Sequence, residues 1–268
     1  MITKPIAFIK RDFLMAVSYR LNFIFQMGHI FVSAFMLFFL SKLVGGAASD
    51  QLKAYGGDYF SFVLIGFAFA DYLSMSLNNF AKNIRTAQLQ GTLEALLVTP
   101  TSVATILLSS SLYDFLFSSL RVLLYLVVGV FIFGMKLQLN SFVSFIIVSV
   151  LTISSFAGIG FISAAFIIVF KQGSPIGLLA GISSNLLGGV FYPISVLPAW
   201  LKPVSHLLPI THGLEAMRRI LLNGASLFEV GDQVVALCLF TIILFPLGLG
   251  VFSHGLKMAR HDGSLIHY

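Results

Sequence analysis

Long apolar runs constrain the fold of this 268-residue chain more than any other feature. Only 10% of the residues are charged, whereas a soluble domain carries roughly 25%, so a surface facing water cannot enclose this chain. A membrane-spanning helix needs about 20 apolar residues. The sequence therefore predicts an all-α polytopic membrane protein, one transmembrane domain over 1–268, with six transmembrane helices at about 21–43, 59–81, 111–134, 142–170, 174–192 and 233–255.

The positions of Lys and Arg predict the orientation. Nine lie at the chain's start or in alternate loops, namely Lys4, Lys10, Arg11, Arg20, Lys82, Arg85, Lys171, Lys257 and Arg260. Six lie in the remaining loops, namely Lys42, Lys53, Lys136, Lys202, Arg218 and Arg219. Because cytoplasmic loops carry the excess of basic residues, we expect both termini in the cytoplasm.

Two stretches outside the spans have amphipathic character. Residues 1–20 place Ile6, Ile9, Phe13 and Val17 on one helical face, which predicts an N-terminal interfacial helix. The alternative is a cytoplasmic extension of the first span. The charges that recur through this stretch are not those of a signal peptide.

Residues 193–232 contain too many prolines to cross the membrane and too many apolar residues for a free loop. We expect a re-entrant outer hairpin of two short helices, 197–207 and 211–223, between the fifth and sixth spans. In the second helix, Thr211 is the expected N-cap, Glu215 the partner of Arg218 and Arg219, and Asn223-Gly224 the end. Trp200 suits the membrane–water boundary.

Three charged residues fall inside the predicted spans: Asp71, Asp114 and Arg121. Intramembrane charges are costly, so each is a candidate functional residue. Asp71 and Arg121 lie at similar depth, and we expect them to pair, with Asp71, Ser74 and Asn78 forming a stripe that faces the third span. The pair is either part of a translocation path or gate, or a structural ion pair that fixes helix packing.

Several catalytic signatures are missing from the sequence. There is no Gly-Lys dipeptide, hence no phosphate-binding P-loop, and no HExxH, GxSxG or CxxC motif. Cys238 is the single cysteine, so no disulfide framework exists. We expect a chain that is not an enzyme and holds no metal or cofactor itself.

Residues 82–100 form the longest polar loop predicted on the cytoplasmic side. Within it, 83–98 has the pattern of a short amphipathic helix, with Leu89, Leu93 and Leu97 on its apolar side. Gly91 would allow close approach of another backbone, and Pro100 would end the element. These properties suit a docking element, although a loop helix resting on lipid has the same pattern.

Two strings in the chain resemble motifs of the type-2 ABC exporter permeases. The first is Gly91-Thr92-Leu93-Glu94 followed by Leu96-Leu97 and Thr99-Pro100. The second is Phe191-Tyr192-Pro193-Ile194 with Leu197-Pro198, then Leu208-Pro209 and Gly213-Leu214-Glu215-Ala216 with Arg218. Their order, the six-span layout and the length extend the resemblance over nearly the whole chain.

The resemblance implies a homodimeric permease in a bacterial plasma (inner) membrane, bound to two separate ATPase subunits that hold ATP and Mg. The loop helix would be the coupling helix at the ATPase contact, formed by Arg85 (on position alone), Gly91, Thr92, Leu93, Glu94, Leu97 and Pro100. The re-entrant segment would be an outer gate containing Tyr192, Pro193, Trp200, Glu215, Arg218 and Arg219.

The substrate class is the least constrained expectation. The 28 Phe residues against one Trp favour a hydrophobic or amphipathic substrate, drug-like or lipid. A lipid-linked glycan or polysaccharide export permease is an alternative within the family. An ion-coupled secondary carrier and a membrane scaffold are alternatives outside it.

Overall fold

A computed structural model of the chain describes residues 20–44, 46, 50–89, 91, 103–138, 140–170 and 175–261. Within these residues the regular structure is helical. The helices are α1 Arg20–Val44, α2 Tyr59–Leu89, α3 Val103–Phe131, α4 Phe142–Phe170, α5 Pro175–Leu187, α6 Lys202–His206, α7 Pro209–Asn223 and α8 Gly231–His261, with 3₁₀ turns at Lys53–Tyr55 and Ile194–Val196. The predicted interfacial helix at 1–20 lies outside the described residues, except for Arg20 at the start of α1.

Five of the described helices, α1, α2, α3, α4 and α8, are long and apolar enough to cross a membrane. The all-helical class is confirmed, and the predicted fourth span, 142–170, coincides with α4. The six-span count is not confirmed. Helix α5 has 13 residues, about 20 Å at 1.5 Å per residue, against a hydrocarbon core of about 30 Å. It ends at Leu187, within the predicted fifth span.

Helix α2 is the central helix of the bundle. It packs against α1, α3, α4, α5 and α7, and 76% of its apolar window is buried, compared with 17% for α1 and 11% for α8. The large side chains Phe62, Leu64 and Ile65 are fully buried in its first turns. Because a membrane helix surrounded by protein needs no lipid-facing side, α2 can carry polar residues that the outer helices cannot.

Helices α4 and α8 pack with their backbones in close contact. A Cβ added at Gly248 would lie 2.2 Å from the carbonyl oxygen of Gly158, and one added at Gly158 would lie 2.3 Å from that of Leu244. Small residues allow such close approach between helices in membranes. At the end of the bundle where α2 finishes, Phe80, Phe161 and Phe252 form a second apolar cluster with these helices.

The cytoplasmic loop helix differs from its prediction. Helix α2 continues without a break to Leu89, so residues 83–89 belong to the second span's helix and not to a separate loop helix. Gly91 has φ +64°, a left-handed conformation that does not occur inside an α-helix. The prediction of an uninterrupted helix over 83–98 is therefore wrong, because Gly91 breaks it where a helical position was expected.

Residues 188–230, called the cap below, lie over the end of the bundle where α2 begins. The predicted helix 197–207 is shorter than expected, since α6 spans only Lys202–His206 after a 3₁₀ turn. The predicted N-cap residue of α7, Thr211, is wrong. Helix α7 begins at Pro209, and the Thr211 hydroxyl donates to the Ser205 carbonyl. The end of α7 is confirmed, with Gly224 at φ 70°.

Candidate gate and intramembrane ion pair

Arg218 is the centre of the cap. It projects from α7, its side chain is buried, and only 2% of the residue is exposed. The guanidinium donates to three backbone carbonyls: Nη1 to Gly189 (2.8 Å), Nη2 to Val190 (2.8 Å) and Nε to Phe62 (3.2 Å). Arg218 therefore joins the chain after α5 to the first turns of α2.

The residues around Arg218 leave room for it and stabilise its charge. Its Cζ lies 3.5 Å from the centroid of the Phe62 ring, a cation–π contact in a buried site. At Gly66 a Cβ would lie 2.3 Å from Nη2 and 2.2 Å from the Val190 oxygen, so this position needs glycine. Burial lowers the pKa of Arg218 to about 9, and the nearby Tyr55 and Glu215 oppose this shift.

Glu215 has a different partner from the one predicted. Its carboxylate accepts a hydrogen bond from the Tyr55 hydroxyl, in the turn before α2. The ion pairs expected with Arg218 and Arg219 do not form: among the described residues, salt bridges within 4.0 Å join Lys53 to Asp50 and Arg121 to Asp71. The three residues do share one helix, but Arg218 binds backbone carbonyls and Glu215 binds Tyr55. Burial, and then Glu215, raise the pKa of Tyr55 above 10.0.

The remaining predicted gate residues lie around this centre. The Tyr192 hydroxyl donates to the carbonyl of Leu186, near the end of α5. Pro193 is buried and precedes the 3₁₀ turn, whereas Trp200 is 73% exposed. Tyr59, at the start of α2, donates to the Phe191 carbonyl at 3.1 Å and makes a second link between α2 and the cap.

The structure contains the predicted contact between Asp71 and Arg121. Nη2 of Arg121, on α3, lies 2.6 Å from Oδ2 of Asp71, on α2. The side chains are 13% and 29% exposed, so the pair is only partly shielded from its surroundings. Nη1 of Arg121 also lies 3.2 Å from the Met75 sulfur, which accepts from the Ser118 hydroxyl at 2.9 Å. The pair joins α2 to α3 through side chains alone.

The predicted polar stripe is only partly correct. Asp71 faces α3, but Asn78 lies beside α5: its Oδ1 would be 3.6 Å from a Cβ at Gly177, and it lines a groove with Gly181 and Asn185. Seven residues separate Asp71 from Asn78, and α2 is enclosed by several helices. Its polar residues therefore meet different neighbours.

The other predicted residues are only partly described. Asp114 lies in α3 and is partly exposed, and Arg85 lies in the last turns of α2. Gly91 is exposed, with open space around its Cα. Thr92, Leu93, Glu94, Leu97 and Pro100 lie outside the described residues.

The sequence interpretation did not identify Tyr55, Gly66 and Val190, which help to form the site. Gly66 sits inside an apolar span, where a glycine costs helix stability and so indicates a close contact. Tyr55 lies in a Gly-rich loop with no pattern of its own. Val190 takes part through its carbonyl, which no side-chain pattern can reveal.

A bundle of long apolar helices with an intramembrane ion pair is typical of a membrane protein with a functional site among its spans. Comparison with known families narrows the class. Residues 6–222 match the family model of the ABC-2 type transporter membrane domain, which covers most of the chain. The chain therefore belongs to the ABC-2 type transporter family.

Named relatives agree with this family. The chain is 26% identical to the inner membrane transport permease YadH of Escherichia coli (strain K12) over 180 residues, which cover 66% of this chain and 67% of the relative. It is 34% identical to Nodulation protein J of Sinorhizobium fredii (strain NBRC 101917 / NGR234) over 70 residues, 26% of each chain. A permease family and a multi-pass membrane protein are thus established.

Proposed function

We propose that this chain is the membrane-spanning permease of an ATP-driven exporter for a hydrophobic or amphipathic substrate, either drug-like or lipid. Two copies enclose the path, and two partner ATPases supply ATP and Mg chemistry that this chain, lacking a P-loop, does not perform. Both termini lie in the cytoplasm, and the membrane is the bacterial inner membrane. Family membership and the inner membrane permease relative support this assignment.

The observation that carries the proposal is the continuity of α2. Its 31 residues extend over about 46 Å. The helix begins at Tyr59, which contacts the cap, and ends at Leu89, two residues before Gly91. One end is bonded to the cap through Phe62 and Arg218. The other end leads into the proposed ATPase contact. We call this contact, within residues 82–100, the coupling segment. A movement of the coupling segment therefore reaches the cap through the single continuous helix α2.

ATP would act by favouring one of two arrangements of this helix. Closure of the two ATPases shifts the coupling segments, and each α2 carries that shift to the cap. A driven change requires that the ATPases bind one arrangement more tightly than the other. The path between protomers opens at one end as the other closes.

The first test is co-purification of the chain with its candidate ATPase. We expect the native chain to retain the ATPase and stimulate ATP hydrolysis, and the variant Glu94→Arg with Gly91→Leu to lose the partner while remaining folded. Glu229→Arg is the matched control, since Glu229 is an exposed acid within the cap, at the other end of α2 from the predicted ATPase contact. Equal retention of the ATPase by all three chains would contradict the coupling assignment.

Transport on an ion gradient by the chain in vesicles without an ATPase would instead establish the secondary carrier. Retention of the ATPase with uptake of glycan-bearing lipids only would establish the glycan-export alternative. Each outcome separates one alternative from the proposed exporter.

A further inference from the structure

A cavity of about 740 Å³ lies beside the cap, at the end of the bundle where α2 begins. The end of α1, the start of α2 and the turn between α3 and α4 form its walls. Small-molecule sites occupy about 300–1,000 Å³, so the space suits one such ligand. We call it the lysine cavity; the residues used below are Phe38, Lys42, Phe60, Phe133 and Lys136.

Three phenylalanines provide an apolar wall. The ring centroids of Phe38 and Phe133 are 4.8 Å apart, those of Phe60 and Phe133 are 5.2 Å apart, and those of Phe38 and Phe60 are 5.6 Å apart. The rings therefore contact one another and come from α1, α2 and the turn after α3. A cluster of this kind gives an apolar ligand a preformed surface.

Two lysines provide positive charge at the same cavity. Lys42 and Lys136 are both exposed, and Nζ of Lys42 lies 5.3 Å from the centroid of the Phe38 ring. No salt bridge within 4.0 Å joins either lysine to an acid in the part of the chain that the structure describes. Their charges are therefore available to a ligand.

The acid in the cavity wall is engaged elsewhere. Asp58 accepts hydrogen bonds from the backbone N–H groups of Phe60 (3.3 Å) and Ser61 (3.0 Å) and from the Ser61 hydroxyl. Asp58 is thus the N-cap residue of α2, where the helix dipole stabilises its negative charge. Asp58 forms no salt bridge within 4.0 Å with Lys42 or Lys136.

We propose that the lysine cavity binds an anionic amphiphile. The phosphate or carboxylate of the ligand lies between Lys42 and Lys136, and its apolar body lies against the phenylalanine wall. The three spans that contribute to the cavity end beside it, so a ligand can reach it from the membrane surface. This inference goes beyond the proposed export function and requires neither an ATPase nor ATP.

Native mass spectrometry of the detergent-purified full chain, titrated with 1-oleoyl lysophosphatidate, tests the proposal. We expect saturable binding to the native chain and about tenfold weaker binding to the variant Lys42→Gln with Lys136→Gln. Lys202→Gln is the matched control, because Lys202 lies in the cap and not in the cavity wall. Lys42→Arg with Lys136→Arg keeps the charge and should keep binding.

Lysophosphatidylcholine provides the control for ligand charge, since its choline cancels the phosphate charge. We expect the native chain to bind it about tenfold more weakly than lysophosphatidate. Equal binding of lysophosphatidate to the native and Gln chains would overturn the proposal. Equal binding of the two lipids to the native chain, or loss of binding in the Arg variant, would overturn it as well.

Two competitors identify the source of the ligand. Displacement of lysophosphatidate by phosphatidylglycerol supports the proposal and identifies a bilayer phospholipid. Displacement by neither phosphatidylglycerol nor glycerol 3-phosphate supports it and identifies a single-chain amphiphile. Displacement by glycerol 3-phosphate at equal concentration would overturn it, because the apolar wall would then contribute nothing. No ATPase is present, so a failed coupling test leaves these results unchanged.

Discussion

The protein places two arginines, Arg218 and Arg121, in opposite kinds of surroundings. Arg218, in the cap, is balanced by three backbone carbonyls and an aromatic ring, and only 2% of the residue is exposed. Arg121, between α2 and α3, is balanced by the carboxylate of Asp71 and the sulfur of Met75. Arg218 therefore forms its hydrogen bonds with backbone atoms, whereas Arg121 binds side chains.

This difference determines how replaceable each arginine is. The partners of Arg121 can be changed together by substitution, so a neutral pair can take the place of the charged one. The carbonyls that hold Arg218 cannot be mutated away. Replacement of Arg218 by an apolar residue therefore leaves acceptors unsatisfied in a buried place. The cap should be less tolerant than the ion pair.

Replacement of Arg218 by Leu is the strongest test of this comparison. We expect a chain that no longer purifies as a single species, because each carbonyl left without a donor costs about 1–3 kcal/mol. Arg218→Lys should give an intermediate thermal midpoint, since an ammonium lacks the planar fork. Size-exclusion profiles and thermal unfolding in detergent measure both effects. Native-like profiles for both variants would contradict the role assigned to Arg218.

Substitution of Gly66 by Ala sharpens the same point without removing a charge. The new Cβ would meet the Val190 oxygen, a backbone atom that cannot rotate away, so we expect a loss of about 1–3 kcal/mol in the free energy of unfolding. Gly28→Ala in α1 is the matched control, because nothing lies within 4 Å of its added Cβ. It should leave stability unchanged or raise it by about 0.5–1 kcal/mol. Equal effects in a denaturant titration would contradict the close packing at Gly66.

The two sites also differ in how far sequence patterns predict them. Asp71 and Arg121 could be paired because charged residues are rare in apolar spans and their depths follow from the helical rise. The contacts of Arg218 could not, because carbonyls occur at every residue and leave no pattern. Helical spacing also predicted Arg218 and Arg219 as the partners of Glu215, whereas in the structure Glu215 accepts a hydrogen bond from Tyr55.

The helices show a similar division. Hydrophobic length predicted α1 and α4 closely, since lipid imposes that length directly, and it placed α8 but ended it six residues early. It failed for α5, where 174–192 was expected as a full span and the helix ends at Leu187. Hydropathy measures apolar content and cannot show where the backbone turns within an apolar run. The backbone turns at Gly189, which has φ 76°, and Arg218 bonds the two carbonyls that follow the helix.

A double-mutant cycle on the ion pair tests the other half of the comparison. We expect Arg121→Met to lower stability by about 1 kcal/mol by leaving Asp71 without its partner, and addition of Asp71→Asn to recover most of that loss. Thermal unfolding in detergent gives the coupling energy. Transport by the double variant at the native rate would show a structural pair, and stable protein without transport would support a role in the path.

The smallest of the expected effects is the loss of stability at high pH that results from ionisation of Tyr55, which contacts Glu215 in the cap. Its pKa is raised by burial and by Glu215, so the folded state binds a proton more tightly than the unfolded state. This contribution to stability is present below pH 10 and is lost as pH rises above 10 toward the folded pKa. The thermal midpoint of the native chain should therefore fall more steeply above pH 10 than that of Tyr55→Phe. Parallel slopes would contradict the burial of Tyr55.

The bond between Arg218 and the end of α5 has a consequence for biosynthesis. The chain emerges from the ribosome in order, and the carbonyls of Gly189 and Val190 appear 29 and 28 residues before Arg218. Until α7 is made, the carbonyls of Gly189 and Val190, just after α5, lack the donor that Arg218 supplies. We therefore expect the turn after α5 to reach its final arrangement only once Arg218 has been synthesised.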